Sequence, residues 1–226
     1  MGNTTTLTAA DGHSLAAYEA GSNQSRRGLV VIQEIFGINH HIRNVCDRLA
    51  GEGYAVAAPA LFDRVQPGIE LNYTADDVAR GRELRARVPE PGVIADVGAA
   101  WARMAERLGG GRIGIIGFCW GGTVAWWGAT RMAGFAAASC WYGGGIAATR
   151  TETPRCPVQM HFGEKDASIP LSDVEAIRAA QPGTEIYVYP GAQHGFGCNE
   201  RASYSKPEAD LAWERSLAFF VKHLGS

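Results

Sequence analysis

The segment from Arg112 to Thr123, with the sequence RIGIIGFCWGGT, constrains the fold more than any other part of the chain. Its apolar run Ile113–Phe118 is too short for a typical helix and is characteristic of a parallel strand covered on both faces. Cys119 then stands between glycines in a G-x-C-x-G pattern, which is the nucleophile-elbow pattern with cysteine in place of serine. The segment therefore predicts a buried strand, a tight turn at Cys119 and a helix that opens on the glycines after it.

Such a turn would carry the Cys119 side chain to the C-terminal end of the strand, over the first N–H groups of the next helix. The positive end of a helix favours a thiolate, and the N–H of Trp120 would point towards a developing oxyanion. A buried and inert cysteine at a glycine-rich strand end would give the same local pattern. Features elsewhere in the chain are needed to distinguish an activated nucleophile from an inert cysteine.

Length and composition predict one large α/β domain, residues 1–226, with a substantial core: 46% of the residues are hydrophobic and 19% are charged. The net charge is −2 and no basic tract is present, so we expect neither nucleic-acid binding nor binding to a membrane surface. No apolar run approaches the ~20 residues of a membrane span, and the N-terminus lacks the order of a signal peptide.

The cysteines argue for a reducing compartment. They are five in number, they are scattered, and none forms a C-x-x-C pair: Cys46, Cys119, Cys140, Cys156 and Cys198. We therefore expect neither a disulfide scaffold nor a zinc site. We expect a cytoplasmic location. We expect no metal and no other cofactor, and a monomer or a weak homo-oligomer.

Short apolar runs alternate with helical periodicities along the whole chain. Asp11-Gly12 predicts an edge hairpin between segments 4–10 and 14–18. Residues 60–76 lack periodicity and are predicted to form a long surface loop. Further strands are predicted at 29–33, 54–58, 135–142, 157–162 and 185–189, and helices at 39–52, 76–88, 93–108, 123–132, 171–180 and 208–224. This alternation predicts a single α/β domain, with a mostly parallel central sheet flanked by helices.

A cysteine nucleophile needs a base, and the base needs an orienting acid. In α/β-hydrolases the acid and then the histidine follow the elbow, each on a loop after a later strand. Asp166 and His194 stand where that order requires them. Three alternatives stay open: Asp166 could cap the helix that begins near Leu171, Glu164 could be the acid, and His194 could have no role. His161 lies within a strand, where a histidine of the core is expected.

Glu34 directly follows the 29–33 strand, at the edge where hydrolases of this fold place a second oxyanion donor. The N–H of Ile35 would then face the N–H of Trp120 across the oxyanion. A carboxylate at this place would repel the charge that the site must stabilise, so Glu34 has to be paired or able to move. The alternative is a solvated glutamate at a strand end.

Four stretches together resemble the dienelactone hydrolase family of α/β-hydrolases, and a fifth, YAVAAP at 54–59, agrees with them. They are QEIFG at 33–37, GFCWGG at 117–122, FGEKD at 162–166 and GAQHGF at 191–196. The resemblance extends from about residue 10 to 224. It implies a single-domain α/β-hydrolase fold with no lid domain, a Cys119–His194–Asp166 triad and a role for Glu34. In such enzymes the glutamate holds the resting thiol away from the histidine, and substrate binding displaces the glutamate, which takes up the thiol proton.

The resemblance also implies a reaction, the opening of a dienelactone (carboxymethylenebutenolide) to maleylacetate in the degradation of aromatic compounds. The intermediate would be a thioacyl group on Cys119, with the N–H groups of Ile35 and Trp120 as the oxyanion hole and no cofactor.

The substrate would be a small lactone or ester, expected to be anionic because members of the family hold its carboxylate with two arginines. One lies in the segment that here contains Arg80 and Arg82, although these could equally belong to a solvated helix face. The position of the other is Cys198, and Arg201 is close enough in sequence to replace it. Phe36 is expected to add an apolar wall to the pocket.

Other functions remain compatible with the sequence. A general carboxylesterase or another lactonase of the same fold is the nearest. A thiol-based redox or sensor protein would oxidise Cys119 instead of acylating it. A non-catalytic binding domain would use the same pocket without reacting.

Overall fold

The computed structural model describes residues 2–225 and places the predicted hairpin at one edge of a sheet. Strands β1 (Asn3–Thr8) and β2 (Ser14–Ala20) pair antiparallel, with Thr8 opposite Ser14. Gly12 has φ 84°, a conformation that glycine adopts without strain, so it closes the turn as the sequence predicts.

The described chain forms an eight-stranded sheet in the order β1-β2-β4-β3-β5-β6-β7-β8. Strands β3 to β8 are parallel, and only the pairings of β2 are antiparallel. They are β3 (Arg27–Ile32), β4 (Ala55–Pro59), β5 (Arg112–Phe118), β6 (Phe135–Trp141), β7 (Val158–Gly163) and β8 (Glu185–Tyr189). The C-terminal ends of these parallel strands share one edge of the sheet, where α/β folds bind their ligands.

Within residues 2–225, six α-helices flank the sheet, as the periodicities predict. They are α1 (His40–Gly51), α2 (Ala75–Arg87), α3 (Glu90–Leu108), α4 (Trp120–Arg131), α5 (Leu171–Ala180) and α6 (Lys206–Leu224). Asn39 caps α1 by accepting a hydrogen bond from the N–H of Ile42. The predicted fold class is confirmed: the described residues form one α/β domain. Residues 1 and 226 of the predicted domain lie outside the described residues.

One predicted element is wrong. Residues 60–76 are not all surface loop, because a 3-10 turn at Leu61–Arg64 buries Leu61 and Phe62. The Phe62 ring stacks on Trp120 with 5.5 Å between centroids, so this segment packs directly under the start of α4. A single 3-10 turn is too short to produce a periodicity that the sequence could reveal.

The described residues contain no helix that is both long and apolar enough to span a bilayer. His161 is the core histidine that its strand position predicts. Its Nδ1 lies 2.8 Å from the Tyr189 hydroxyl and its Nε2 lies 2.9 Å from Gln159 Oε1. Burial lowers the pKa of His161 to about 3, so the ring is neutral and serves packing and hydrogen bonding.

Candidate active site

Cys119 occupies the turn between β5 and α4, with φ 56° and ψ −117°. A non-glycine residue in this region of the backbone map is strained, and such strain is found mainly at functional sites. Glycines make the turn possible by close approach: a Cβ on Gly117 would lie 2.0 Å from the carbonyl oxygen of Gly121. A Cβ on Gly121 would lie 2.4 Å from the oxygen of Ile32. Helix α4 therefore begins directly over the ends of β3 and β5.

The structure brings the three predicted triad residues together. His194 Nε2 lies 3.1 Å from Cys119 Sγ, and His194 Nδ1 lies 2.7 Å from Asp166 Oδ2. Asp166 is buried in the loop after β7, and its second oxygen accepts a hydrogen bond of 2.8 Å from the Ser168 N–H. A nucleophile, a base and an orienting acid in hydrogen-bonded sequence form the arrangement that activates a thiol.

The alternatives for the acid do not fit the geometry. Pro170, not Asp166, is the N-cap residue of α5. Glu164 accepts a hydrogen bond of 2.9 Å from the N–H of Gly191 and thereby ties two loops together. Asp166 is therefore the carboxylate that holds His194.

The surroundings of His194 favour its charged form. Burial by itself would lower its pKa, but the hydrogen bonds to Asp166 and Cys119 outweigh burial and raise the pKa of His194 to about 10. The Cys119 side chain also lies at the N-terminus of α4, which stabilises negative charge. The site therefore combines a charged imidazole with a helix N-terminus, two features that activate a cysteine nucleophile.

Glu34 is buried and paired, not solvated. One carboxylate oxygen lies 3.2 Å from Arg201 Nη1, and the other lies 3.5 Å from the Tyr73 hydroxyl. The resting arrangement that the family resemblance implies, with the thiol held by the glutamate, is not the one observed. Here the thiol faces His194, because Arg201 supplies the partner that the buried Glu34 carboxylate requires.

The two predicted oxyanion donors, Ile35 and Trp120, line one cavity of about 410 Å³ together with Cys119 and His194. Trp120 is the first residue of α4, so its N–H has no acceptor within the helix. Ile35 follows the end of β3, the strand that neighbours β5 in the sheet. Phe36 also lines the cavity, as the sequence predicts.

The arginines divide into two groups. Arg82 and Arg201 line the cavity. The expectation for Arg80 is corrected, because its guanidinium is held outside the cavity by Glu83 at 2.7 Å and Gln66 at 2.5 Å. Residues two apart on a helix point about 200° away from each other, so Arg80 and Arg82 cannot share one cavity.

Two residues of the site escaped the sequence analysis. Arg85 lines the cavity beside Arg82, and a signal for it existed, since residues three apart share a helix face. Tyr73 meets Glu34 and also accepts a hydrogen bond of 3.1 Å from the Asn39 amide. No sequence signal marks Tyr73, because it lies in a loop and reaches the site only through the tertiary fold.

Comparison with known proteins identifies the family of this chain. The model of the dienelactone hydrolase family matches residues 15–224. The chain belongs to this family. It is 38% identical over 212 residues to a Synechocystis protein named "Putative carboxymethylenebutenolidase", with 87% of this chain and 86% of that protein covered. A protein of the same name from Escherichia coli K12 is also 38% identical, over 95% of this chain and 84% of its own length.

A solved structure is similar over its whole length. The crystal structure of a "Putative Dienelactone Hydrolase" from Klebsiella pneumoniae superposes with a TM-score of 0.82 at 34% identity, and covers 97% of this chain and 99% of that one. This dienelactone hydrolase-like chain is thus a hydrolase that acts on small carboxylic esters or lactones.

Proposed function

We propose that this protein opens a dienelactone to maleylacetate through a thioacyl intermediate on Cys119, as a cytoplasmic step in the degradation of aromatic compounds. The observation that carries the proposal is the hydrogen-bonded sequence Cys119–His194–Asp166 at a strained elbow, within the cavity that Ile35 and Trp120 also line. Nucleophile, base and oxyanion donors are the parts that acyl transfer requires.

In the first half-reaction the Cys119 thiolate attacks the lactone carbonyl carbon, and the N–H groups of Ile35 and Trp120 hold the oxyanion. Collapse of the tetrahedral intermediate breaks the bond to the ring oxygen, which leaves as an enolate tethered to the acyl group. The proton on His194 passes to this enolate, and the imidazole becomes neutral.

In the second half-reaction neutral His194 takes a proton from water, and the hydroxide that forms attacks the thioester carbonyl. The carbon–sulfur bond breaks, the carboxylate product leaves, and Cys119 regains its thiolate next to the imidazolium. Asp166 keeps the imidazole in one orientation throughout.

The charge of the cavity supports an anionic substrate. Arg82, Arg85 and Arg201 line it, and a guanidinium binds a carboxylate with two parallel hydrogen bonds. Arg201 is paired with Glu34, so Arg82 and Arg85 are the cations that we expect to bind a substrate carboxylate.

Replacing Arg82 or Arg85 with glutamine should therefore raise KM for a carboxylate-bearing lactone about tenfold, which corresponds to the loss of one charged hydrogen bond. KM for a neutral aryl acetate should stay within a factor of two or so, since no carboxylate is bound. Arg80→Gln is the matched control, because Arg80 lies on the same helix but outside the cavity. Equal effects on the two substrates would contradict an anion site.

We propose that Glu34 supports turnover by holding Arg201 at the cavity. Glu34→Gln should lower kcat by roughly 10- to 100-fold, which corresponds to the ~1.5–3 kcal/mol that a hydrogen bond between charged groups contributes. Its effect on the midpoint of thermal unfolding should be small, since glutamine keeps the shape and can still bond to Arg201 and Tyr73. Turnover by the variant at the wild-type rate would remove Glu34 from the mechanism.

The decisive test is the loss of conjugated-lactone absorbance with purified protein, measured beside hydrolysis of a simple aryl acetate. Fast turnover of the lactone supports the proposal, and its absence in Cys119→Ala ties it to the elbow. Turnover of the aryl ester alone would keep the triad and indicate a general carboxylesterase or a different lactonase. Turnover of neither would favour the redox or binding alternatives.

A further inference from the structure

Behind the nucleophile lies a buried cluster of three potential metal ligands, Glu34, His41 and Cys198. Each offers one donor atom, and these three atoms lie within 4.8 Å of one another. The residues come from the loop after β3, from α1 and from the loop before α6. All three side chains are buried, with exposed fractions of 1%, 4% and 0%.

His41 is unusual within this cluster because its Nε2 has no hydrogen-bond partner among the described residues. A buried polar atom without a partner costs about 1–3 kcal/mol, so native structures seldom contain one without a reason. The hydroxyl of Tyr142 is likewise buried and unpartnered. The cluster therefore contains a nitrogen atom, Nε2 of His41, that the protein itself does not use.

We propose that Glu34, His41 and Cys198 bind a divalent transition metal of the zinc class. A thiolate, an imidazole and a carboxylate are the three ligand types of zinc sites, and three protein ligands leave a fourth position for water. The softness of a thiolate and an imidazole disfavours Mg²⁺ and Ca²⁺, which require several oxygen ligands.

The geometry and the charges are compatible with such an ion. Ligand atoms around tetrahedral zinc lie roughly 3.5 Å apart, so atoms that now lie up to 4.8 Å apart have to move closer by up to about 1.3 Å. Binding displaces the proton of the Cys198 thiol to solvent, and the resulting thiolate and the Glu34 carboxylate neutralise the dication. The guanidinium of Arg201 beside Glu34 opposes binding, and the two anionic ligands offset it.

A cavity next to the cluster shares no lining residue with the catalytic cavity. This cavity, of about 140 Å³, is lined by His41 and by Gly197, the neighbour of Cys198. A metal ion could reach the cluster through this cavity without passing the triad.

Metal binding would engage Glu34, and the hydrolase would then lose activity. This consequence, unlike the binding itself, rests on the proposed function of Glu34. The sequence spacing predicts no metal site, and the difference arises because the ligands come from three segments that only the fold assembles.

The test is a spectroscopic titration of the protein with Co²⁺, whose bond to a thiolate gives a charge-transfer absorption in the near ultraviolet. We expect one equivalent of Co²⁺ to produce this band in the wild-type protein and in Cys119→Ser. In Cys198→Ser the band should be absent, and Mg²⁺ should have no effect. A band that is lost in Cys119→Ser and kept in Cys198→Ser would place the metal on the triad and overturn the proposal. A wild-type protein without a band would overturn it equally.

A second variant keeps the test valid if Cys198→Ser does not fold. Competition for Zn²⁺ against a chromophoric chelator should show roughly 100-fold weaker binding in His41→Gln, because one of three ligands is lost. Equal affinity in the two proteins would contradict the site. Inhibition of ester hydrolysis by Zn²⁺ is measured separately from Zn²⁺ binding. Binding without inhibition would support the metal site and contradict the proposed role of Glu34 in turnover.

Discussion

Replacing Cys119 with alanine should lower kcat for an ester or lactone by at least about 10⁴-fold, which is the scale for loss of a covalent nucleophile. The reason is chemical: His194 and Asp166 stay in place, but no atom is left to form the acyl intermediate. Steady-state rates on the substrate that the wild-type protein turns over fastest give kcat directly. The midpoint of thermal unfolding should change little, because alanine retains the Cβ that is strained at φ 56° and only the sulfur is lost.

Cys156→Ala is the matched control. Cys156 is half-buried like Cys119, lies outside the cavity and should be replaceable without loss of turnover. Its pKa is raised by burial to about 11, so it is not a thiolate at neutral pH. Mass spectrometry of the protein quenched during turnover should find an acyl adduct on Cys119 and none on Cys156. Undiminished hydrolysis by Cys119→Ala would refute a cysteine mechanism.

The second large effect is expected from Gly81→Ala in α2. A Cβ at this position would lie 2.1 Å from the backbone oxygen of Ile35, so the helix or the Ile35 segment has to move. Ile35 carries a proposed oxyanion donor, and α2 carries Arg82 and Arg85, so either movement disturbs the cavity. A displacement of about 1 Å near the reacting atoms can cost on the order of 100-fold in rate, and we expect a loss of kcat of that size.

Gly98→Ala in α3 is the control that distinguishes the clash with Ile35 from the general effect of alanine on helix stability. Gly98 is also within a helix, but a Cβ there would meet only the Met132 side chain at 3.8 Å, an ordinary contact. It should stabilise the protein by about 0.5–1 kcal/mol, as alanine does in a helix, and leave kcat unchanged. Circular dichroism and thermal unfolding compare the two variants. A Gly81→Ala protein with wild-type kcat would show that the contact with Ile35 does not position the oxyanion hole.

The sequence alone determines the secondary structure and the order of the catalytic loops. Strand and helix patterns are local: the apolar run 113–118 and the helical stripe of α3 report burial on known faces of one element. The elbow is only partly local, because Gly117 allows the close approach of Gly121 four residues later, whereas Gly121 allows the approach of Ile32 from β3. Asp166 and His194 follow from the order of strands along the chain, since the carboxyl ends of parallel strands meet at one edge.

Only the tertiary structure decides which side chains meet across that edge. Helix α2 exposes Arg82 and Arg85 to the cavity and turns Arg80 away, and this depends on how the helix is rotated against Ile35. The positions of residues along the sequence do not determine how α2 is rotated about its axis.

The same limit applies to Glu34. Its partners Arg201 and Tyr73 lie 167 and 39 residues away in sequence, its neighbour His41 comes from α1, and Cys198 comes from the same loop as Arg201. The sequence by itself determined the fold and the candidates for the triad, because periodicity and chain order encode them. Only the tertiary structure decided how Glu34 is paired, which arginines line the cavity and which residues form the buried ligand cluster. Contacts between segments that are distant in sequence leave no periodic pattern in a single sequence.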